Sequence, residues 1–501
     1  MHKLGIIDLG SNTTRLIVMA YRPGLCFRLV DEVSEVVRLA EGVGASRTLR
    51  PAPIRRAVEA LRMFEHFCHG TGVEQIIAVG TSAIREASNQ ADFWAALRAA
   101  TTLDLQIISA QDEAYYGYLG AANALDLRDG FVFDTGGGST QVEAVRDRRL
   151  VERFSVQAGV LRFTERFVKS DPISKDELHS LRAAANMAFA DLTWFQSSSG
   201  LTLAGMGGTV RTLARMDQKQ RAYPIDRVHG YTLTRTALAA LTEQLVAKPR
   251  REREQLPGLK SDRADVTLAG AVIIEELLDK GGFTELRVSG QGVREGLFYA
   301  HFLAEADPPL FDDPRAFSVL NLARLSDYEP THCQAVADIA SSLYDQLVPL
   351  HGYGAWEREL LGYAATLHDI GVIVGYYDHH KHGEYLVHNA ALLGFSHREI
   401  VILGALVRNH RKGQADLAPF QAVLAADDGP RVARLSALLR LAEYLERSKS
   451  QVVRAVRVEI GDPVRVVVTA SGNADVEIWE AGRHAGLFKK AFERQIEIVA
   501  A

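Results

Sequence analysis

Cysteine is scarce. Cys26, Cys68 and Cys333 are the only three in 501 residues, and an odd number with no C-x-x-C pair argues against a disulfide framework and against a cysteine zinc site. Such cysteines read as reduced, buried small hydrophobes. No apolar run approaches the ~18 residues that a membrane-spanning helix needs. The short apolar stretch after Met1-His2-Lys3 is interrupted by Asp8 and is too polar for a secretory signal. The sequence is therefore expected to be cytoplasmic, with no membrane partner. An excess of positive charge is also missing: 57 Lys plus Arg stand against 62 Asp plus Glu, a net charge of −5, so the chain is not a basic coat for nucleic acid. Low-complexity tracts and short repeats are absent. The remaining composition, 47 % hydrophobic and 24 % charged, excludes wholesale disorder, and the length allows three or four domains of ~100 to 200 residues.

Leu4 to Leu9 reads as a buried strand and Thr14 to Tyr21 as its hairpin partner, with Gly10-Ser11-Asn12 as the turn. The pattern returns where Phe131-Val132-Phe133-Asp134 leads into Thr135-Gly136-Gly137-Gly138-Ser139-Thr140, ahead of Val142 to Val145. Asp8 and Asp134 lie 126 positions apart, as in a duplicated unit that places an Asp and a backbone-rich turn at one end of each sheet. Between them come a helix from Pro53 to about Phe67, a strand from Gln75 to Val79 and a helix around Asn89 to Ala99, an alternation that argues for an α/β sheet. Ser174 and Glu177 form a capping-box pair opening a long helix through about Phe195. Glycine turns follow at Ala204 to Thr209 and Ser289 to Gly296. Pro308, Pro309 and Pro314, among acidic residues, mark a connection. From Phe317 to about Ser448 the pattern is helical, with apolar spacing at Val336, Ile339, Ala340, Leu343 and Leu347. Strands at Val453 to Ile460 and Val464 to Thr469 and a final helix from about Asp475 to Phe488 complete the chain. The expected domains are 1–125, 126–310, 316–450 and 451–501.

The two Asp-and-glycine turns have a chemical content. Backbone N–H groups unobstructed by side chains make anion nests, and Ser11, Asn12, Ser139 and Thr140 add donors to phosphate oxygens. Asp8 and Asp134 cannot bind phosphate directly but can hold Mg²⁺, which takes one or two carboxylates together with phosphate oxygens. Arg85, after a strand and near a helix start, suits bidentate phosphate contact. Asp112 and Glu113 sit in the first turn of a helix, where acids complement the helix dipole.

Taken together, residues 6–16, 80–87, 107–117, 134–140, 205–214 and 289–297 resemble the exopolyphosphatase/guanosine pentaphosphate phosphatase family. The resemblance implies two actin-like (ribonuclease-H-like) α/β domains, then a mostly helical HD-like domain and a small α+β segment. Residues 364–371 and His379-His380-Lys381-His382 resemble the helical half of the longer members. By the resemblance, Glu113 is the catalytic base that directs water, and Arg85 contacts the phosphate. Asp8, Ser11 and Asn12 match one phosphate loop. Asp134 and Gly136, Gly137, Gly138, Ser139 and Thr140 match the other, with Asp134 near Mg²⁺. Arg263 resembles a further substrate contact. One departure is Gln141, where the family has Glu; Glu143, on the same face two residues on, is the candidate substitute metal ligand. In the helical half His332, His368-Asp369 and Glu443 resemble the metal-ligand order of HD phosphohydrolases, with His380 and His410 available to a second ion. The basic clusters 379–382 and 408–412 suit a channel for a polyanion.

The expected function is thus processive, Mg²⁺-dependent (or Mn²⁺-dependent) hydrolysis of terminal phosphate from inorganic polyphosphate, by a homodimer. Alternatives are a guanosine pentaphosphate 5′-phosphatase, an actin-like ATPase or kinase, and a non-catalytic polyphosphate or alarmone binder. No specific nucleic-acid partner is expected.

Overall fold

Leu4, Gly5, Ile6 and Ile7 are all buried, and so are Phe131, Val132 and Phe133. Strands without a polar face belong in the middle of a sheet covered on both sides. The computed structural model, which describes residues 1–43, 46–198 and 200–501, places them there. The chain divides into two units, Met1–Pro314 and Arg315–Ala501.

The first unit contains two sheets. One is ordered β3-β2-β1-β4-β5, from β1 (His2–Leu9), β2 (Thr13–Arg22), β3 (Cys26–Val36), β4 (Gln75–Gly80) and β5 (Leu105–Ile107). The other is ordered β8-β7-β6-β9-β11-β10, from β6 (Gly130–Thr135), β7 (Thr140–Arg146), β8 (Arg149–Val156), β9 (Thr202–Met206), β10 (Thr232–Thr234) and β11 (Glu285–Val288). β1 runs antiparallel to β2 and parallel to β4, just as β6 runs antiparallel to β7 and parallel to β9. The duplication expected from the Asp spacing is therefore a duplication of topology, with β10 an extra antiparallel edge. Asp8 is paired in register with Arg15, and Asp134 with Gln141.

Two helices bring the sheets' loop ends together. Ala110–Leu125 is rich in small residues and buried from Gly117 to Leu125, and Val293–Phe302 packs along it. Gly120 and Gly296 permit the close approach, since a Cβ on either would overlap the backbone oxygen of Gly292 or Tyr116.

Several sequence expectations shift. The helix after Ser174 ends at Ala188, not near Phe195. Phe189, Leu192 and Phe195 are fully buried, but they reach the core from successive turns in a stretch containing Asp191 and Thr193, weak helix formers. β3 and β8 are edge strands whose residues are mostly exposed, so their apolar residues are mixed with polar ones and form no continuous buried run.

In the second unit the helices Pro330–Gln346, Ala355–Leu367, His379–Asn389, His397–Asn409 and Asp428–Leu445 precede a sheet ordered β12-β13-β14 (Val453–Glu459, Val464–Ala470, Ile496–Ala500). One continuous core joins Val336, Leu343 and Leu435 to Val464, Val466 and Phe488. The final helix breaks into Asp475–Arg483 and Gly486–Phe492, and the closing strand β14, parallel to β13, was not foreseen. No helix among the described residues is long and apolar enough to cross a membrane.

Candidate functional site

The loops that follow Asp8 and Asp134 face each other across a cleft in the first unit. A Cβ on Gly137 would stand 3.0 Å from Ser11 Cβ, and one on Gly138 would stand 2.9 Å from Ser82 Oγ. The hydroxyls of Ser11 and Ser82 are hydrogen-bonded at 2.9 Å. All three glycine carbonyls are engaged: Gly136 O by the Val160 N–H at 2.9 Å, Gly137 O by the Leu161 N–H at 3.0 Å, and Gly138 O by Arg162 Nε at 3.2 Å. What this loop can offer a ligand is therefore N–H and hydroxyl, the groups an anion needs.

Glu113 enters the cleft from the helix Ala110–Leu125. Its neighbour Asp112 completes the capping box with Ser109, whose Oγ accepts from the Asp112 N–H at 3.0 Å. That division of labour leaves Glu113 to the cleft. Arg85 donates to Glu113 Oε2 from both terminal nitrogens at 3.1 Å and to the Ile108 carbonyl at 2.8 Å. Burial pushes the Glu113 carboxyl up to about 7, against the pull of Arg85, and the Asp8 carboxyl up to about 6. Arg85 is absent from the cleft lining. Where sequence expected a direct phosphate contact, the structure shows the guanidinium paired with Glu113 and the Ile108 carbonyl, two acceptors that occupy its fork.

Asp8, Ser11, Asn12, Gly136, Gly137, Ser139, Asp134 and Arg263 all line the cleft, as expected. Gly138 and Thr140 do not. Gly138 faces Ser82, and the Thr140 hydroxyl donates to Ala158 O at 2.6 Å, deep in the core. Three further arginines line the cleft: Arg15 on β2, Arg211 in the helix Gly207–Gln220, and Arg294. Arg294 is braced by Glu32 at 2.9 Å, and Arg211 donates to Gly290 O at 3.0 Å. Burial, then Arg15 and Arg294, lower Arg211 to about 9. Asp8, Glu113, Asp134 and Glu295 line the same cleft, so it is a mixed-charge site whose buried guanidinium groups suit a phosphate brought in with a cation. Sequence reasoning missed them. Arg15 is the only charge between Thr13 and Tyr21, and Arg211 and Arg294 each follow a glycine turn by a few residues, which were the available signals.

Asp8 and Asp134 fit a hard cation. Asp8 Oδ1 is buried without a hydrogen-bond partner, both carboxyls are raised chiefly by burial, and an all-oxygen donor set suits Mg²⁺. Gly207, at φ +84°, leaves the space that Asp134 Oδ1 occupies. Gln141 is turned onto Ser139, donating Nε2–H to its Oγ at 2.8 Å. Glu143 is fully buried with neither oxygen hydrogen-bonded. It is absent from the cleft lining, lying one pleat further down the strand, opposite Val132.

In the second unit His332, His368, Asp369 and Glu443 do converge: His368 Nε2 is 3.2 Å from His332 Nε2 and 3.1 Å from Glu443 Oε2. The partner of His410 is His379, at 3.0 Å, not the expected His380. Adjacent residues of a helix point about 100° apart, and His379 is the one turned to Asp369, at 3.2 Å.

Comparison with known proteins gives a consistent picture. Residues 17–305 match the model of the Ppx/GppA phosphatase family, and residues 315–465 match the model of Ppx/GppA phosphatase domain III. The chain is 27 % identical over 453 residues to a guanosine-5′-triphosphate,3′-diphosphate pyrophosphatase of Aeromonas hydrophila, covering 89 % of this chain and 88 % of the relative. Among solved structures, an Aquifex aeolicus member of the Ppx/GppA family is 27 % identical with a TM-score of 0.52, covering 61 % of this chain and 98 % of its own. An exopolyphosphatase from Cytophaga hutchinsonii is 25 % identical with a TM-score of 0.56, covering 60 % and 98 %.

Proposed function

Given that the chain belongs to the Ppx/GppA phosphatase family, and is thereby a hydrolase of phosphoric anhydrides, we propose that its substrate is inorganic polyphosphate, cleaved at the terminal phosphate. The observation that carries this reading is the lining of the cleft. Arg15, Arg211, Arg263 and Arg294 face it, with Val160 and Val293 as the large apolar side chains and no aromatic ring among the described lining residues. A chain of phosphates needs cations and N–H groups along its length, whereas a purine is held by stacking and base-edge contacts.

The terminal phosphate sits between the loops of Ser11–Asn12 and Gly136–Ser139, whose N–H and hydroxyl groups take up its charge. The Glu113 carboxylate, oriented by Arg85, accepts a proton from water that attacks the phosphorus in line with the leaving oxygen. The arginines hold the rest of the chain and offset the charge on the departing phosphate. Asp8 and Asp134 would hold Mg²⁺ or Mn²⁺, which when bound neutralises phosphate oxygens and helps polarise the phosphorus.

A second reading, hydrolysis of guanosine pentaphosphate, is favoured by the name of the Aeromonas relative, which spans most of the chain. Arg211→Met tests the polyphosphate reading. On the polyphosphate reading it raises KM for long polyphosphate about tenfold or more, the loss of one charge-assisted contact, with kcat within about threefold. Chain-length-resolved kinetics check it. An unchanged KM for the polymer would remove the arginines from the substrate path.

A further inference from the structure

Arg263 differs from the other cleft arginines in how it is held. Arg294 is braced by Glu32 and Arg211 by the Gly290 carbonyl. The Arg263 guanidinium lies on Gly208, where a Cβ would overlap its terminal nitrogens, and the described residues give it no ion pair. Two acids stand close to it in sequence, Asp262 and Asp265. Burial and Arg15 depress the guanidinium, while Asp262 and Asp265 pull it back, so both carboxylates act on its charge. Asp262 is exposed, where solvent screens it. Asp265 is half-buried and is the stronger competitor, because a carboxylate fits the same guanidinium fork as a phosphate.

Asp265 is held elsewhere. Its Oδ1 accepts from the Val266 N–H at 3.0 Å, at the start of the helix Thr267–Gly281, and its Oδ2 pairs with Arg38 Nη1 at 2.8 Å. Arg38 Nη2 also donates to the Asp262 carbonyl at 3.4 Å. Arg38 belongs to the other half of the first unit, just after β3, and its φ of +46° is a conformation that a residue with a side chain keeps only where its surroundings impose it. They do so through the first phosphate loop. The Arg38 N–H donates to Asn12 O at 2.9 Å, the Val37 N–H to the same oxygen at 3.1 Å, and the Ala40 N–H to Ser11 O at 3.0 Å. One residue thus holds the carbonyl side of the Ser11–Asn12 loop with its backbone and Asp265 with its side chain.

We propose that Arg38 is a positioning residue for the hydrolysis: by occupying Asp265 it keeps that carboxylate off Arg263 and leaves the Arg263 guanidinium to the phosphate. The inference rests on the reading of Arg263 as a substrate contact. A partly exposed ion pair adds little stability, so the role of the pair is to direct Arg263 and not to hold the fold. Its signature is a reversal. Loss of Arg38 alone frees Asp265 to capture Arg263, whereas loss of both partners leaves Arg263 as available as before.

The test compares kcat/KM for orthophosphate release by the full-length chain and four variants, with melting curves. Arg263→Met is expected to lower kcat/KM about tenfold or more, the loss of one charge-assisted contact, and Arg38→Met to lower it by a similar factor. Asp265→Asn and the double variant Arg38→Met/Asp265→Asn are expected within about threefold of the parent, a non-additivity that a purely structural pair does not produce. Arg38→Gln takes the place of Arg38→Met should the latter fail to fold. Turnover of polyphosphate by the unaltered protein decides the substrate; the ratios among the variants decide the pair, and are read on guanosine pentaphosphate if that is the substrate cleaved. Parental turnover in Arg38→Met, a double variant as slow as Arg38→Met, or Asp265→Asn as slow as Arg38→Met would overturn the proposal.

Discussion

Glu113→Gln is expected to lower kcat for phosphate release from polyphosphate about 10³-fold, within the range that a general base supplies, while the dissociation constant for the polymer stays within a few-fold. The amide keeps the shape and still accepts from Arg85, but it cannot take a proton. In the unaltered protein the same carboxyl, raised to about 7 by burial, makes kcat/KM fall about tenfold per pH unit on the acid side of that value. Stability moves the other way. A carboxyl whose folded pKa lies above its unfolded value of 4.5 costs stability that is lost as pH rises from 4.5 through about 7. Glu113→Gln removes that cost, so at pH 8 the variant melts no lower than the parent. Retained turnover in the variant would take the base assignment away from Glu113.

Gly207→Ala is the second large effect. A Cβ there would overlap Asp134 Oδ1, and φ is +84°, in the left-handed region that disfavours any side chain. The carboxylate must move, and a shift of about 1 Å at such a site costs on the order of 10² in rate. Stability falls by about 1 to 3 kcal/mol from backbone strain and crowding. On the proposed reading the half-saturating Mg²⁺ concentration rises as well, because Asp134 is one of the two carboxylates proposed to hold the cation. Steady-state kinetics across a Mg²⁺ series, with a melting curve, check all three; an unchanged Mg²⁺ dependence would separate Asp134 from metal binding.

The central strands were legible because a strand buried on both faces is a run of apolar residues, and Asp8 and Asp134 break those runs at equivalent ends. The edge strands β3 and β8 were not, since most of their positions are exposed and their apolar and polar residues mix without a continuous apolar run. Both pieces of the last helix, broken near Gly482 and Gly486, pack against Asp428–Leu445, and the strand after them pairs with β13, tertiary contacts that no local pattern encodes. In the cleft, the loop residues could be read from glycine and small polar spacing. Arg15, Arg211 and Arg294 could not, because in sequence an arginine destined for a cleft looks like one destined for solvent. Arg85 was visible as a residue but not as the support of Glu113, and His379 was passed over for His380, one residue away, because only the helix phase distinguishes them.

The acidic net charge of −5 and a cleft lined by four arginines fit a polyanion that is recognised locally. The most direct test of the account is therefore the initial rate of orthophosphate release, measured in parallel on long-chain polyphosphate and on guanosine pentaphosphate with Mg²⁺. The account predicts a kcat/KM for polyphosphate at least about tenfold the higher, consistent with several charge-assisted contacts along the polymer. A preference of the same size for guanosine pentaphosphate would contradict it.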